Sequence, residues 1–299
     1  MGIHIYMKCL LFNHHPDYFF HLWKAFTALD IEVHCATEAL TIKCGAPYSS
    51  TKKDNFFQLS DALFKHTDLF PELANLKFSD SLDGYDFYYT HMRPLAEKIQ
   101  CKNLFFGATV EWDLDFNRKD ATKVTSLKNR FKELNAQYLQ YYVPESELVV
   151  DKHYLTVIAA NWGNISFIKD LINLRNNSDI PVIISGNNDA PDKFVRDVTI
   201  LPQTALLAHE KYYGTNCNSV CKALDKGIPV YTTKSSYERL GFSDLPEDLF
   251  YFKDDISLLD AYKDAVNSPR SSYIQRMYRH MRPFSTTVEC AKNLLNYLQ

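Results

Sequence analysis

No Cys-x-x-Cys pair occurs in the 299 residues, so neither a zinc site nor a dithiol redox pair is written locally. The seven cysteines (Cys9, Cys35, Cys44, Cys101, Cys217, Cys221 and Cys290) are odd in number and scattered, which suits a reducing, cytoplasmic setting. No apolar run reaches the ~20 residues needed to span a bilayer, so no transmembrane segment is expected. Residues 1–12 lack the charged-then-apolar order of a signal peptide. Charge of one sign is also missing in quantity: 33 Lys and Arg against 36 Asp and Glu leave a net charge of -3, which argues against binding nucleic acid through bulk electrostatics. Neither a short repeat nor a low-complexity tract is visible.

What the chain does contain is apolar and aromatic mass: 46% hydrophobic residues, with 20 Phe and 19 Tyr, ample for a sizeable core. Its length fits one large or two medium domains, since domains commonly hold ~100–150 residues. Short apolar runs alternate with helical periodicity. Strands are expected at 3–6 with 10–12, 31–36, 85–90, 103–108 and 138–144, and helices at 17–29 and 56–70. After a polar hinge at 145–153 the cycle restarts, with strands at 154–160, 180–185, 198–201 (halted by Pro202), 228–231 and 249–252. Helices are expected at 166–175, 257–267 and 288–298. This alternation predicts an α/β fold of two Rossmann-like, doubly wound parallel sheets. The domains are expected at 1–150 and 151–299, with the terminal helices in the second.

Residues 211–233, KYYGTNCNSVCKALDKGIPVYTT, stand out. A short strand at 212–213 is expected to enter the small polar turn 214–219, then a helix that stops at Gly227. Such a turn places unpaired N–H groups at a helix N-terminus, where the dipole adds partial positive charge, and this binds anions. Asn216, Asn218 and Ser219 are the candidates for a diphosphate, with Lys222 behind them. An ordinary capped helix fits the same residues.

The second half resembles the donor-binding domain of the GT-B glycosyltransferases. Gly163 is followed six residues later by Lys169, the family's glycine-to-lysine interval. Lys222-Ala223-Leu224-Asp225-Lys226-Gly227-Ile228-Pro229-Val230 is similar to the family's Glu-Ala-x-x-x-Gly-x-Pro-Val. Two departures matter: Asn164 stands where arginine is common, and Lys222 replaces the glutamate that usually bonds the nucleotide ribose. The resemblance implies two domains facing across a cleft and transfer of a sugar from a nucleotide-diphospho-sugar. A UDP-sugar is the first choice, acting as co-substrate, with no other cofactor and no catalytic metal. Gly186, at a strand end, is a candidate to contact donor or acceptor, with a plain turn as the competing reading. The resemblance implies a nucleobase contact near Gln203, made by backbone groups.

Inverting transfer needs a base to take the acceptor proton. Glu111 and Asp113, in the acidic stretch 111–115, and Asp17, beside His14 and His15, are the candidates. A solvated acidic loop and a helix cap are the competing readings. His91 and Arg93 are candidates for steadying acceptor or leaving group. A glycan is the expected acceptor. A hydroxymethylated base in DNA is the alternative, with Lys52, Lys53, Arg118, Lys119, Lys128 and Arg130 as the basic lining. A sugar-nucleotide 2-epimerase and a noncatalytic nucleotide-sugar-binding protein also fit.

Overall fold

The computed structural model describes residues 7–12, 16–46, 75–108, 113, 115–125, 135–139, 147–159, 165–186, 192, 201–211, 218–281 and 287–298. The expected helix at 56–70 and the strands at 3–6 and 212–213 lie outside them. The chain packs as two units, Met1–Val143 with Thr286–Gln299, and Pro144–Ser285.

The first unit holds a seven-stranded, all-parallel sheet of order β3-β2-β1-β4-β5-β6-β7. Its strands are β1 (Lys8–Leu11), β2 (Glu32–Ala36), β3 (Lys77–Ser79), β4 (Phe87–Thr90), β5 (Leu104–Gly107), β6 (Ala121–Thr125) and β7 (Gln137–Tyr138). Every residue of β4 and β5 is buried, as expected of strands covered on both faces. On one face, Phe26 of helix α1 (Pro16–Thr27) meets Phe87 edge-on at 5.1 Å, and Phe87 meets Phe105 at 5.7 Å. On the other, Leu10, Tyr88, Leu104 and Phe106 pack with Leu40 of α2 (Glu38–Lys43) and Leu95 of α3 (Arg93–Lys98). Each fully buried side chain of this size contributes about 1.5–3 kcal/mol.

The second unit holds a five-stranded, all-parallel sheet of order β12-β11-β10-β8-β9. Its strands are β8 (Tyr154–Ala159), β9 (Val182–Gly186), β10 (Thr204–Ala208), β11 (Val230–Thr232) and β12 (Phe250–Phe252). Helices α4 (Ile168–Asn177), α5 (Asn218–Asp225), α6 (Lys234–Arg239), α7 (Leu258–Asn267) and α8 (Ser271–Met281) connect and cover them. Helix α5 stops at a left-handed glycine: Gly227 has φ +74°, its N–H donates to Leu224 O, and Ile228 N–H donates to Ala223 O at 2.8 Å. This double bond closes the helix and turns the chain into β11.

Of the strand expected at 198–201, residues 198–200 lie outside the described residues and Leu201 is not in a strand; strand β10 begins after Pro202 rather than ending at it. Leu201–Gln203 forms a single 3₁₀ turn that leads into it. The last helix, α9 (Thr287–Leu295), packs on α1 in the first unit rather than staying with the second. Its apolar stripe (Cys290, Ala291 and Leu294) is buried, while Lys292 and Asn293 stay exposed. Among the described residues no helix is long and apolar enough to cross a membrane.

At the amino edge of the first sheet, register places Lys8 beside Glu32 and Lys77 beside His34. Lys77 Nζ lies 2.6 Å from Glu32 Oε1, His34 Nε2 lies 3.0 Å from it, and Lys8 Nζ is 3.3 Å from Oε2. Hydrogen bonding from Lys77 first, then His34, holds the Glu32 carboxyl down at about 2. A depressed carboxyl stabilises the fold fully above its unfolded pKa, and that contribution disappears as pH falls through the folded value. Because both lysines reach into solvent, Glu32→Gln is expected to cost about 1 kcal/mol at pH 7. The difference should close between pH 4.5 and 2, as read from thermal melts of both proteins across pH.

Candidate functional site

The strand order of the second sheet reverses between β8 and β10. Connections leave in opposite directions there, so a crevice opens beyond the strands' carboxyl ends. Strand β10 (TALLA) is buried throughout and delivers His209 and Glu210 to that edge. The ladder continues one residue past the strand, with His209 N–H donating to Tyr231 O at 2.8 Å. Glu210 is 8% exposed, and its Oε2 accepts the backbone N–H of Ser166 at 2.6 Å, just ahead of α4. Glu210 therefore bridges the point where the two halves of the sheet part. Lys253, directly after β12, donates from Nζ to Ser166 O at 3.4 Å. Thr233 caps α6, and Ser236 within that helix accepts the Lys211 N–H at 3.1 Å, which fixes the direction in which the chain leaves β10.

Helix α5 opens on the same edge. Asn218 is its first residue, 7% exposed, and neither Oδ1 nor Nδ2 has a hydrogen-bond partner. Each such group costs about 1–3 kcal/mol when left unpaired. Ser219 is half-buried. Lys222, four residues beyond Asn218 and so on the same helix face, is buried. The first-turn N–H groups of this eight-residue helix supply the positive end of its dipole.

Among the residues singled out in the sequence, Lys169, Gly186, Asn218 and Ser219 all come to the carboxyl edge of this sheet. Lys169 is exposed in the first turn of α4. Gly186 closes β9 opposite Ala159. Gln203 does not join them. It precedes β10, and its carbonyl accepts the N–H of His153 ahead of β8, so it lies at the amino edge, where proline and the 3₁₀ turn put it. Gly163 and Asn216 lie outside the described residues. Glu210 and Lys253 escaped the sequence reading. The one signal for Glu210 was an acid placed straight after an unbroken apolar run.

In the first unit the sheet order reverses between β1 and β4. Asp17 belongs to the first turn of α1, the helix after β1, rather than to the cap position. His91 follows β4 directly and is buried, its Nδ1 3.2 Å from Gly107 O. A carbonyl only accepts, so Nδ1 carries a proton. Glycine at 107 is required by that ring: a Cβ there would lie 2.2 Å from His91 Nδ1. Asp113 is buried, with its carbonyl accepting Phe116 N–H, whereas Glu111 lies outside the described residues. Arg93 is held by Glu97 at 2.8 Å and by Asp115. Arg118 is engaged by both carboxylate oxygens of Asp120 and by the carbonyls of Ala96 and Ile99. It is thus committed within the protein; Lys52, Lys53, Lys128 and Arg130 lie outside the described residues.

No protein-family model matches the chain, and no curated protein matches it in sequence. Solved structures do. AviGT4, a glycosyltransferase involved in avilamycin A biosynthesis, is similar at 12% identity and a TM-score of 0.54, with 97% of this chain and 96% of that one covered. CalG4, the calicheamicin glycosyltransferase, is similar at 12% identity and a TM-score of 0.50, with 98% of each chain covered. The chain has the two-unit α/β fold of the GT-B glycosyltransferases.

Proposed function

We propose that the protein is a glycosyltransferase that moves a sugar from a nucleotide-diphospho-sugar, with UDP as the first-choice nucleotide, to a hydroxyl of a glycan in the cytoplasm. The acceptor oxygen attacks the anomeric carbon, the bond from that carbon to the diphosphate breaks, and the acceptor proton passes to a carboxylate. Asp113, Glu111 and Asp17 are the candidates for that base. The departing diphosphate gathers negative charge, which the first-turn N–H groups of α5 with Ser219, and the cations Lys169 and Lys222, are suited to hold without a metal. Gly163, Gly186 and Asn216 complete the proposed donor contacts. The observation that carries this reading is the polar cluster at the carboxyl edge of the second sheet: Glu210 bonded to Ser166 across the reversal of strand order, beside the opening of α5.

Titration calorimetry with UDP and UMP tests it. UDP is expected to bind with Kd below a millimolar, and UMP about tenfold more weakly, since it lacks the second phosphate. Glu210→Ala removes the anchor of Ser166 and is expected to weaken UDP binding about tenfold, or about 1.4 kcal/mol. Absence of binding at millimolar nucleotide would overturn the reading. A noncatalytic nucleotide-sugar-binding protein is the second reading, favoured by Lys222 at the position of the family glutamate. It predicts that UDP-sugars bind while no UDP is released in the presence of glycan acceptors.

A further inference from the structure

We propose that Asn218 reads hydroxyl groups of the donor's sugar rather than its phosphates, an inference that rests on the donor-site reading above. Asn218 is more than nine-tenths buried at the opening of α5, and both of its side-chain polar atoms are enclosed without a hydrogen-bond partner. A carboxamide offers a donor at Nδ2 and an acceptor at Oδ1. A phosphate at neutral pH presents acceptors, so it would answer Nδ2 and repel Oδ1. A hydroxyl both donates and accepts, and a vicinal pair answers both atoms together. The backbone N–H groups of the same helical turn are donors alone and match phosphate oxygens. One turn of helix thus carries two kinds of recognition: main-chain donors for the anion and the Asn218 side chain for the neutral polyol next to it. Leaving both amide atoms unpaired in the absence of ligand lowers stability at this position, as expected where binding rather than folding sets the residue.

A ribose hydroxyl or the imide edge of uracil would also complement a carboxamide. Both belong to UDP itself, which makes UDP the discriminating probe. The experiment is titration calorimetry of UDP, UDP-glucose, UDP-galactose and UDP-N-acetylglucosamine against the full chain, as wild type, Asn218→Leu and Asn218→Ala. Both variants are expected to weaken the tightest UDP-hexose at least tenfold while moving UDP less than twofold. Without ligand, Asn218→Leu should melt no lower than wild type, because it replaces unpaired polar atoms by apolar ones of similar size. Equal weakening of UDP and UDP-hexose would overturn the assignment in favour of a phosphate, ribose or base contact. Unchanged affinity for both would reduce Asn218 to a structural residue. In either case wild-type binding of UDP leaves the donor-site reading standing. If wild type binds neither UDP nor any UDP-hexose, the donor-site reading fails and this inference with it.

Discussion

Arg279→Met is expected to destabilise the fold by about 3–5 kcal/mol in equilibrium chemical denaturation, the scale for stranding a buried charge. Asp225, the last residue of α5, is 0% exposed, and its carboxylate is gripped by Arg279 of α8, Nε to Oδ1 at 2.6 Å and Nη2 to Oδ2 at 3.2 Å. Gln275 of the same helix donates to the Asp225 carbonyl at 2.5 Å. A carboxylate at a helix C-terminus faces the negative end of the dipole, so its own helix gives it no help. The loss comes from Asp225 left without its cation, since Arg279 itself is partly in solvent. Arg279→Lys should recover only part of it, because an ammonium does not reproduce the two-pronged geometry. Pairing Arg279→Met with Asp225→Leu should restore most of the stability. A loss below about 1 kcal/mol in the single variant would show that the pair is dispensable.

Gly227→Ala is expected to cost about 3 kcal/mol, from left-handed backbone strain of about 1–2 kcal/mol and overpacking of about 1–3 kcal/mol. The φ of +74° is one cause. The other is space: a Cβ there would stand 2.4 Å from the backbone oxygen of Ser271 and 2.8 Å from its carbonyl carbon, at the start of α8. Backbone atoms at the head of a packed helix yield less than a flexible side chain. Gly84→Ala serves as the comparison, because Gly84 has φ +84° but nothing within 4 Å of the added carbon. It should lose only the strain, about 1–2 kcal/mol. Equal losses in the two variants would show that the approach of α8 to α5 is looser than these distances imply. The Gly-x-Pro-Val stretch that drew attention in the sequence is thus explained locally as a helix stop and a re-entry into the sheet.

The elements most legible in the sequence were those buried on both faces. Strands β4, β5 and β8 announce themselves as runs of Phe, Tyr, Leu, Val and Ile, because parallel strands under two helical layers have no polar side. Strand β6 (ATKVT) went unread because its first three residues are half-exposed and its composition is that of a loop. Helix α8 (SSYIQRMYRHM) went unread because only Ser271, Ile274 and Tyr278 are buried among polar neighbours. Strand β10 went unread because Pro202, just ahead of it, reads as the end of a strand rather than the approach to one. In the candidate site, the opening of α5 at Asn218 followed from local turn chemistry. Glu210 did not, since its role depends on Ser166, forty-four residues away, across a sheet whose strand order no local pattern encodes. The move of α9 onto α1 was equally hidden: amphipathic periodicity shows that a helix has a face to cover, and nothing about which surface covers it.

Because Thr286–Gln299 returns to the first unit, the polypeptide crosses between units twice, and Pro144–Ser285 is topologically an insert within its host. A single proteolytic nick at either crossing leaves two separate chains, and the packing of α9 on α1 still joins one to the other. Excising 144–285 and joining 143 to 286 with a short linker keeps α9 available to α1, whereas simple truncation at 143 strips α1 of that cover.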